Sequence, residues 1–262
     1  MLGIGSSITT KKNGKPRHLS KTSCTFTDSS SDFIVVSNHA DLQVATGGGV
    51  GSDFSLSFWI KLTEDASGTS NKDGYIGLKA GQFRSGGFYM QYDDASGDDE
   101  SIALFTSTAS AQASVSSNTD LDHNVWYHIA ATYDVSTTTG KIYVDGVLSA
   151  TNTSQTAPTQ YTGDVHVGSS DTASKFVSSI TQDVAFWKGA ILSADEVYNL
   201  FTRVSDPSQT QGKYLKAWWT LNAKSATGSN NVLDEMGTHH GTTSGLADSD
   251  FDTADEPSPT GV

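Results

Sequence analysis

The sequence predicts an all-β protein: a sandwich of two antiparallel sheets with one short helix. Three observations carry this. Several segments alternate apolar and polar residues with a period of two, which marks half-buried strands. Glycine is frequent at 25 residues, proline scarce at 5, and only 17% of residues are charged, a composition suited to many short strands and polar turns. A single stretch, near residue 195, carries helical spacing and a helix-start signal. A sandwich of roughly 200 residues or more is routinely one domain, so 262 residues suffice for one sizeable core.

Residues 1–22 form a basic arm. Lys11, Lys12, Lys15, Arg17 and Lys21 give it five positive charges and no acid. It reads either as a solvated tail or as a docking arm for an acidic neighbour. Residues 23–246 form the folded domain, and residues 247–262 an acidic tail with Asp248, Asp250, Asp252, Asp255 and Glu256 and no base.

Within the domain, Cys24–Val44 supplies the opening strands. In FSLSFWIKL, Phe54, Leu56, Phe58, Ile60 and Leu62 form the core set, and Trp59 lies on the opposite face. YIGLKA, GGFYMQYDD and SIALFTS read as three further strands, with Phe88, Met90 and Tyr92 alternating against Tyr89 and Gln91. Residues 109–123 read as another strand and turn.

The centre of the chain is VWYHIAATYDVSTTTGKIYVDGVLSAT, residues 125–151. Trp126, His128, Ala130 and Thr132 share one face. Val125, Tyr127, Ile129, Ala131 and Tyr133 share the other, the more apolar. VSTTTG is a hairpin loop, and Asp145-Gly146 a tight turn. Trp126 is expected to be buried. A short strand follows with Val165 and Val167 inward. Ser193 and Glu196 then make a capping box for a helix ending at Arg203, with Leu192 and Val197 as its staple and Val197, Leu200 and Phe201 as its apolar stripe. Pro207 stops its continuation.

Several of these motifs resemble one family. The central hairpin is similar to "W-(H/Y)-H-(I/V)-A-x-(T/V)-(Y/F)-D … G-x-(I/L)-Y-V-D-G" of laminin-G-like, concanavalin A-like jelly rolls. CTFTDSSSDFIVVSNHADLQV resembles the family's opening strand and FSLSFWIKL its "F-T-(I/L)-S-x-W-(V/I)" strand. SITQDVAFWKGAILSADEVYNLF resembles its closing strand and helix, with Thr181 in place of the family's Asp. YLKAWWTLNAKSATGSNNVLDEMGTHHGTTSG resembles strands that the family adds at the sandwich edge. The resemblance implies a jelly roll and leaves activity open.

Catalysis is not expected. A glycosidase needs two carboxylates about 5–9.5 Å apart. The glucanase motif "E-x-D-x-(x)-E" is missing, and Glu64, Glu100, Glu196, Glu235 and Glu256 fall outside the predicted strands. No Ser-His-Asp or Cys-His arrangement stands out. The net charge of −13 argues against nucleic acid as a partner. No segment approaches the roughly 20 apolar residues of a membrane span, so no membrane insertion is expected. One cysteine, Cys24, excludes an intrachain disulfide. With no signal-peptide pattern at residues 1–21, the expectation is synthesis in a cytoplasm.

Two function classes remain. The resemblance includes virion proteins of tailed phages, and the charged ends suit a structural or decorating protein on a capsid or tail surface, made in the host cytoplasm. It would be homo-oligomeric or docked on another virion subunit. The alternative is a carbohydrate-binding module or lectin for cell-surface glycans, with Trp59, Tyr89 and Tyr143 as candidate stacking rings because they alternate away from the apolar sets. No cofactor is required. If a cation binds, Ca²⁺ at the acidic loop Asp93, Asp94, Asp98, Asp99 and Glu100 is the expectation. His239 and His240 read as turn residues, and no Cys/His cluster with zinc spacing is visible.

Overall fold

The computed structural model describes residues 22–27, 30, 32–45, 51–63, 74–81, 84–93, 101–168, 178–223, 231–251 and 255–257. The basic arm before Thr22 and most of the acidic loop, Asp94 to Glu100, lie outside the described residues.

Two antiparallel seven-stranded sheets face each other. The first contains β1 (Cys24–Phe26), β3 (Phe54–Leu62), β8 (Trp126–Asp134), β9 (Thr139–Val144), β10 (Val147–Asn152), β12 (Ser179–Lys188) and β13 (Leu215–Trp219). Its order is β1-β12-β3-β8-β9-β10, with β13 also on β12. The second contains β2 (Phe33–Val36), β4 (Gly74–Gly81), β5 (Gly87–Asp93), β6 (Ser101–Ser107), β7 (Gln112–Ser116), β11 (Val165–Gly168) and β14 (Gly241–Ser244), in the order β14-β2-β11-β4-β5-β6-β7.

The alternation read from the sequence decides what lies between the sheets. Phe54, Leu56, Phe58, Ile60 and Leu62 of β3 enter the core with Ile129, Ala131 and Tyr133 of β8. Phe88, Met90 and Tyr92, with Val165 and Val167, meet them from the other sheet. Aromatic rings link the layers: Phe88 stacks on Phe54 at 4.5 Å and on Phe186 at 5.4 Å. Such pairs add about 0.5–1.5 kcal/mol each beyond their buried area.

A second, smaller core lies on the outer face of the first sheet. There α1 (Ala194–Phe201) lays Val197 and Leu200 over Ala130, Tyr143, Trp187 and Trp218. Ser193 caps the helix and Glu196 completes the capping box, as expected. The helix stops two residues before Arg203, which sits in the left-handed region at φ 55°. Asp206 caps the following 3-10 turn, in which Pro207 occupies the first position, so no α-helix resumes.

β12 carries a bulge at Asp183, φ 53°, where its register with β3 shifts between Gln182 and Ala185. The bulge divides one edge of β12 between two partners, β1 before it and β13 after it. It also aims Asp183 at Arg203 and at the Trp218 indole, which donates to it at 3.1 Å.

The described residues of the acidic tail include apolar ones that are buried. Phe251, in a 3-10 turn over Asp248–Phe251, is buried in the main core, and Pro257 is buried as well. An aromatic residue within the acidic stretch supplies apolar area that the charge count hides. Among the described residues, no helix is long and apolar enough to cross a membrane.

Candidate functional site

The three candidate stacking rings are packed inside the protein. Trp59 is 3% exposed, with Phe201 and Arg203 of the helix end over it and His128 beside it at 5.1 Å. Tyr143 is 4% exposed beneath α1. Tyr89 is 1% exposed, stacks on Phe105 at 4.9 Å and donates its hydroxyl to Gln112 Oε1 at 3.0 Å. Alternation placed all three correctly outside the main core. It could not show that the outer faces are covered as well, and a covered ring offers no platform for a sugar. Trp126, expected to be buried, is only partly so.

Under α1, a cavity of about 30 Å³ is lined by Trp59, His128 and Arg203 among others. It has room for about one water and none for a saccharide. His128 Nδ1 and Arg203 Nε are buried without a hydrogen-bond partner among the described residues. Burial, and then the charge of Arg203, push His128 down to about 3, so its imidazole is neutral at pH 7.

The helix covers only part of the outer face. Ala130 and Tyr143, paired across β8 and β9, lie beneath it. The next two cross-strand pairs on that face are Thr132 with Lys141 and Asp134 with Thr139; Thr132 is buried, whereas Lys141, Asp134 and Thr139 are partly exposed. They form a groove of about 450 Å³, completed by Thr137, Thr153 and Ile191. Asp134 Oδ1 accepts from the Ser136 N–H at 2.8 Å and from its hydroxyl at 2.7 Å, which fixes the hairpin turn. The Ser136 hydroxyl, aided by further bonds from Thr137 and the Ser136 N–H, holds the carboxyl below its ordinary value despite slight burial. The groove thus presents an ammonium, a carboxylate, several hydroxyls and the half-exposed apolar Ile191.

A second constellation lies at one end of the sandwich. Antiparallel pairing of Gly241 with Val36 brings the exit of β2 beside the entry of β14. His39 caps a 3-10 turn, Ala40–Leu42, and its Nδ1 accepts from the Asp41 N–H at 3.2 Å. His239 arrives from the other loop, 5% exposed at its side chain. Asp41 Oδ2 stands 3.5 Å from His39 Nδ1 and 3.7 Å from His239 Nε2, and the two rings are 4.7 Å apart. Buried Asp234 holds the His239 loop by accepting the N–H groups of Trp218, Met236, Thr238 and His239. Burial lowers the pKa of His239, with His39 adding to this and Asp234 and Asp41 opposing it.

His239 lies in a loop, as expected, and shares with His39 and Asp41 a cluster of metal-capable side chains that no sequence spacing announced. The signal was missing because the two histidines lie 200 residues apart and meet only through the β2–β14 pairing. Of the acidic loop, only the backbone of Asp93, closing β5, is described; Asp94, Asp98, Asp99 and Glu100 lie outside the described residues.

Searches against known proteins agree with this architecture. No curated protein matches the sequence. Among solved structures, a Bacteroides ovatus protein whose carbohydrate binding is itself a provisional assignment is 17% identical with a TM-score of 0.59, over 85% of this chain and 58% of that one. The binding domain of Paraclostridial Mosquitocidal Protein 1 is 14% identical with a TM-score of 0.49, over 64% of this chain and 40% of that one. The chain thus spans less than two thirds of either, and the likeness to the Bacteroides ovatus protein, at 17% identity, concerns the fold alone. A laminin-G family model, described as the concanavalin A-like lectin/glucanases superfamily, matches residues 29–198. That match covers well over half of the sequence, from β2 to β12 with strands of both sheets, and the chain belongs to this superfamily.

Proposed function

We propose that this protein is a non-catalytic, lectin-like module that binds a glycan in the groove beside the β8–β9 hairpin. The observation that carries this reading is the uncovered end of the outer sheet face. There Asp134, Lys141 and threonine hydroxyls converge around Ile191 in about 450 Å³. Binding pockets for small molecules span about 300–1,000 Å³ and combine apolar walls with a few fixed polar groups. A glycan array probed with the full chain tests it. Binding to a defined saccharide class, weakened at least about tenfold in Lys141→Ala, supports the reading. No binding across the array, or binding untouched by that substitution, removes it.

We further propose that the module decorates a larger assembly, the capsid or tail surface of a phage virion, attached through its basic arm. The supporting observation is the meeting of the chain's two ends. The Ser23 hydroxyl donates to the Asp255 carbonyl at 2.9 Å, so the residue just after the arm lies beside a residue of the acidic tail. Particle fractionation tests the setting: the protein should co-purify with virions, and its recovery only as free monomer would exclude attachment.

A further inference from the structure

The loops leaving β2 and entering β14 bring two imidazoles and a carboxylate to one point, with donor atoms all within 4.8 Å of one another. We propose that His39, Asp41 and His239 bind a divalent transition metal, with Zn²⁺ the ion whose chemistry they match. The inference rests on these side chains alone and does not depend on the glycan reading, which concerns another face.

Two nitrogen donors and one carboxylate oxygen are the donors of three-residue zinc sites, whereas Ca²⁺ takes six to eight oxygens. Tetrahedral bonds of about 2.0–2.1 Å place donors about 3.4 Å apart. The separations from Asp41 Oδ2, 3.5 Å to His39 and 3.7 Å to His239, need only small side-chain movement to reach that value.

The site is also held in place. The carbonyl of His239 accepts from Trp219 Nε1 at 2.8 Å, and its N–H donates to Asp234 at 2.9 Å. On the opposite loop, Gln43 Nε2 donates to Asn38 Oδ1 at 2.8 Å, and Asn38 Nδ2 donates to the Thr162 carbonyl at 2.9 Å, which fixes the approach to His39. The remaining side opens on a groove of about 250 Å³ lined by Ser37, Asn38, Thr238 and His240. Three protein donors facing such a groove leave a fourth position for water or for an oxygen of an incoming ligand.

Two local interactions compete with the ion. The His39 Nδ1 lone pair accepts the Asp41 N–H, through a long, exposed bond that water can replace. Lys188 donates to the Ala40 carbonyl at 2.7 Å, and its charge acts on Asp41. A metal at Asp41 must tolerate that ammonium, so removing it should tighten binding.

The test is calorimetric titration of the chelator-treated full-length chain with Zn²⁺ alone, without saccharide. One ion per chain is expected. His39→Ala and Asp41→Asn, both at exposed or half-exposed positions and therefore expected to fold, should each weaken binding about 10–100-fold, with unchanged far-UV circular dichroism. Lys188→Met should strengthen it several-fold. No binding below about 1 mM Zn²⁺, or an affinity unchanged in all three variants, overturns the proposal.

Discussion

The indole Nε1 of Trp126 donates a 2.8 Å hydrogen bond to Oδ1 of Asp255, joining the central hairpin to the C-terminal segment 129 residues later. Lys61 on the neighbouring strand pairs with the other carboxylate oxygen. Burial pushes the Asp255 carboxyl up, but the hydrogen bonds from Lys61 and Trp126 and the charge of Lys61 outweigh it and hold it below its usual value. The latch ties Asp255 of the acidic tail to the sandwich.

Trp126 is only partly buried, so its loss should cost less than that of a core tryptophan. Trp126→Ala is expected to destabilise by about 1–3 kcal/mol, below the 3–5 kcal/mol typical of fully buried aromatics. Asp255→Ala should cost about 1–2 kcal/mol, since it removes a charge-assisted bond and a partly exposed ion pair. In denaturant melts the double variant should lose less than the sum, because the two residues share one interaction. Strict additivity would show that the latch contributes nothing.

A second expectation concerns acid. His128 is buried and held neutral, with a folded-state value of about 3 against 6.5 for an exposed imidazole. As pH falls below 6.5 the unfolded chain takes up this proton and the folded chain does not, so stability declines until pH approaches 3. The loss attributable to this residue is on the order of 4 kcal/mol. His128→Leu should flatten the decline between those limits, whatever it does to stability at pH 7. Melts from pH 7 to 3.5 that show equal slopes for both proteins would contradict this.

Much of the fold was legible because local pattern and tertiary outcome agree. The strict alternation of β3 survives intact, and the Ser193–Glu196 capping box forms as written. Helix length was overread because Arg203 turns left-handed to meet Asp183 and Gln182, a tertiary pull with no local signal. The functional candidates were the least legible part. Tyr143 and Lys141 share a strand face two residues apart, yet one lies under α1 and the other lines the open groove. Period two reports the face, while the position of the helix along that face decides exposure. His39 and His239 offered no pattern, since the register of β14 on β2 alone brings them together.

Gly77 marks a strained point in β4, where the register with β5 shifts between Tyr75 and Lys79. Its φ is +59°, and a Cβ there would overlap the Phe58 ring in the core. Gly77→Ala should therefore combine a left-handed backbone penalty with core overpacking, about 2–4 kcal/mol in total. Gly237 is the control: its φ is +81°, but nothing lies within 4 Å of the built Cβ. Gly237→Ala should cost only about 1–2 kcal/mol. Equal losses in thermal or denaturant melts would mean that β4 yields and Phe58 moves aside.

The basic arm gives the prediction that bears most directly on assembly. Its residues carry five positive charges, and the last 17 residues carry five acids. The Ser23–Asp255 bond places these two residues side by side, and Thr22 is fixed there by bonds to Asn222 and from Gln182. Asp255 is already engaged by Lys61 and Trp126, so it adds little attraction for the arm. Exposed pairs are worth about 0–1 kcal/mol each. Charge alone would therefore not hold a subunit, and Leu2, Ile4, Ile8 and Leu19 of the arm would have to bury area on a neighbour. Every core residue among the described residues lies after residue 21, and the domain truncated by deleting residues 1–21 is expected to remain folded with little change in melting temperature. On the proposed attachment, it should fail to join particles to which the full chain binds. Reversing Lys11, Lys12 and Lys15 to Glu should weaken attachment and reduce its salt dependence, while replacing Leu2, Ile4 and Ile8 by Ser should abolish it at any salt concentration. Normal occupancy of the truncated protein on particles would show that the anchor lies elsewhere on the domain.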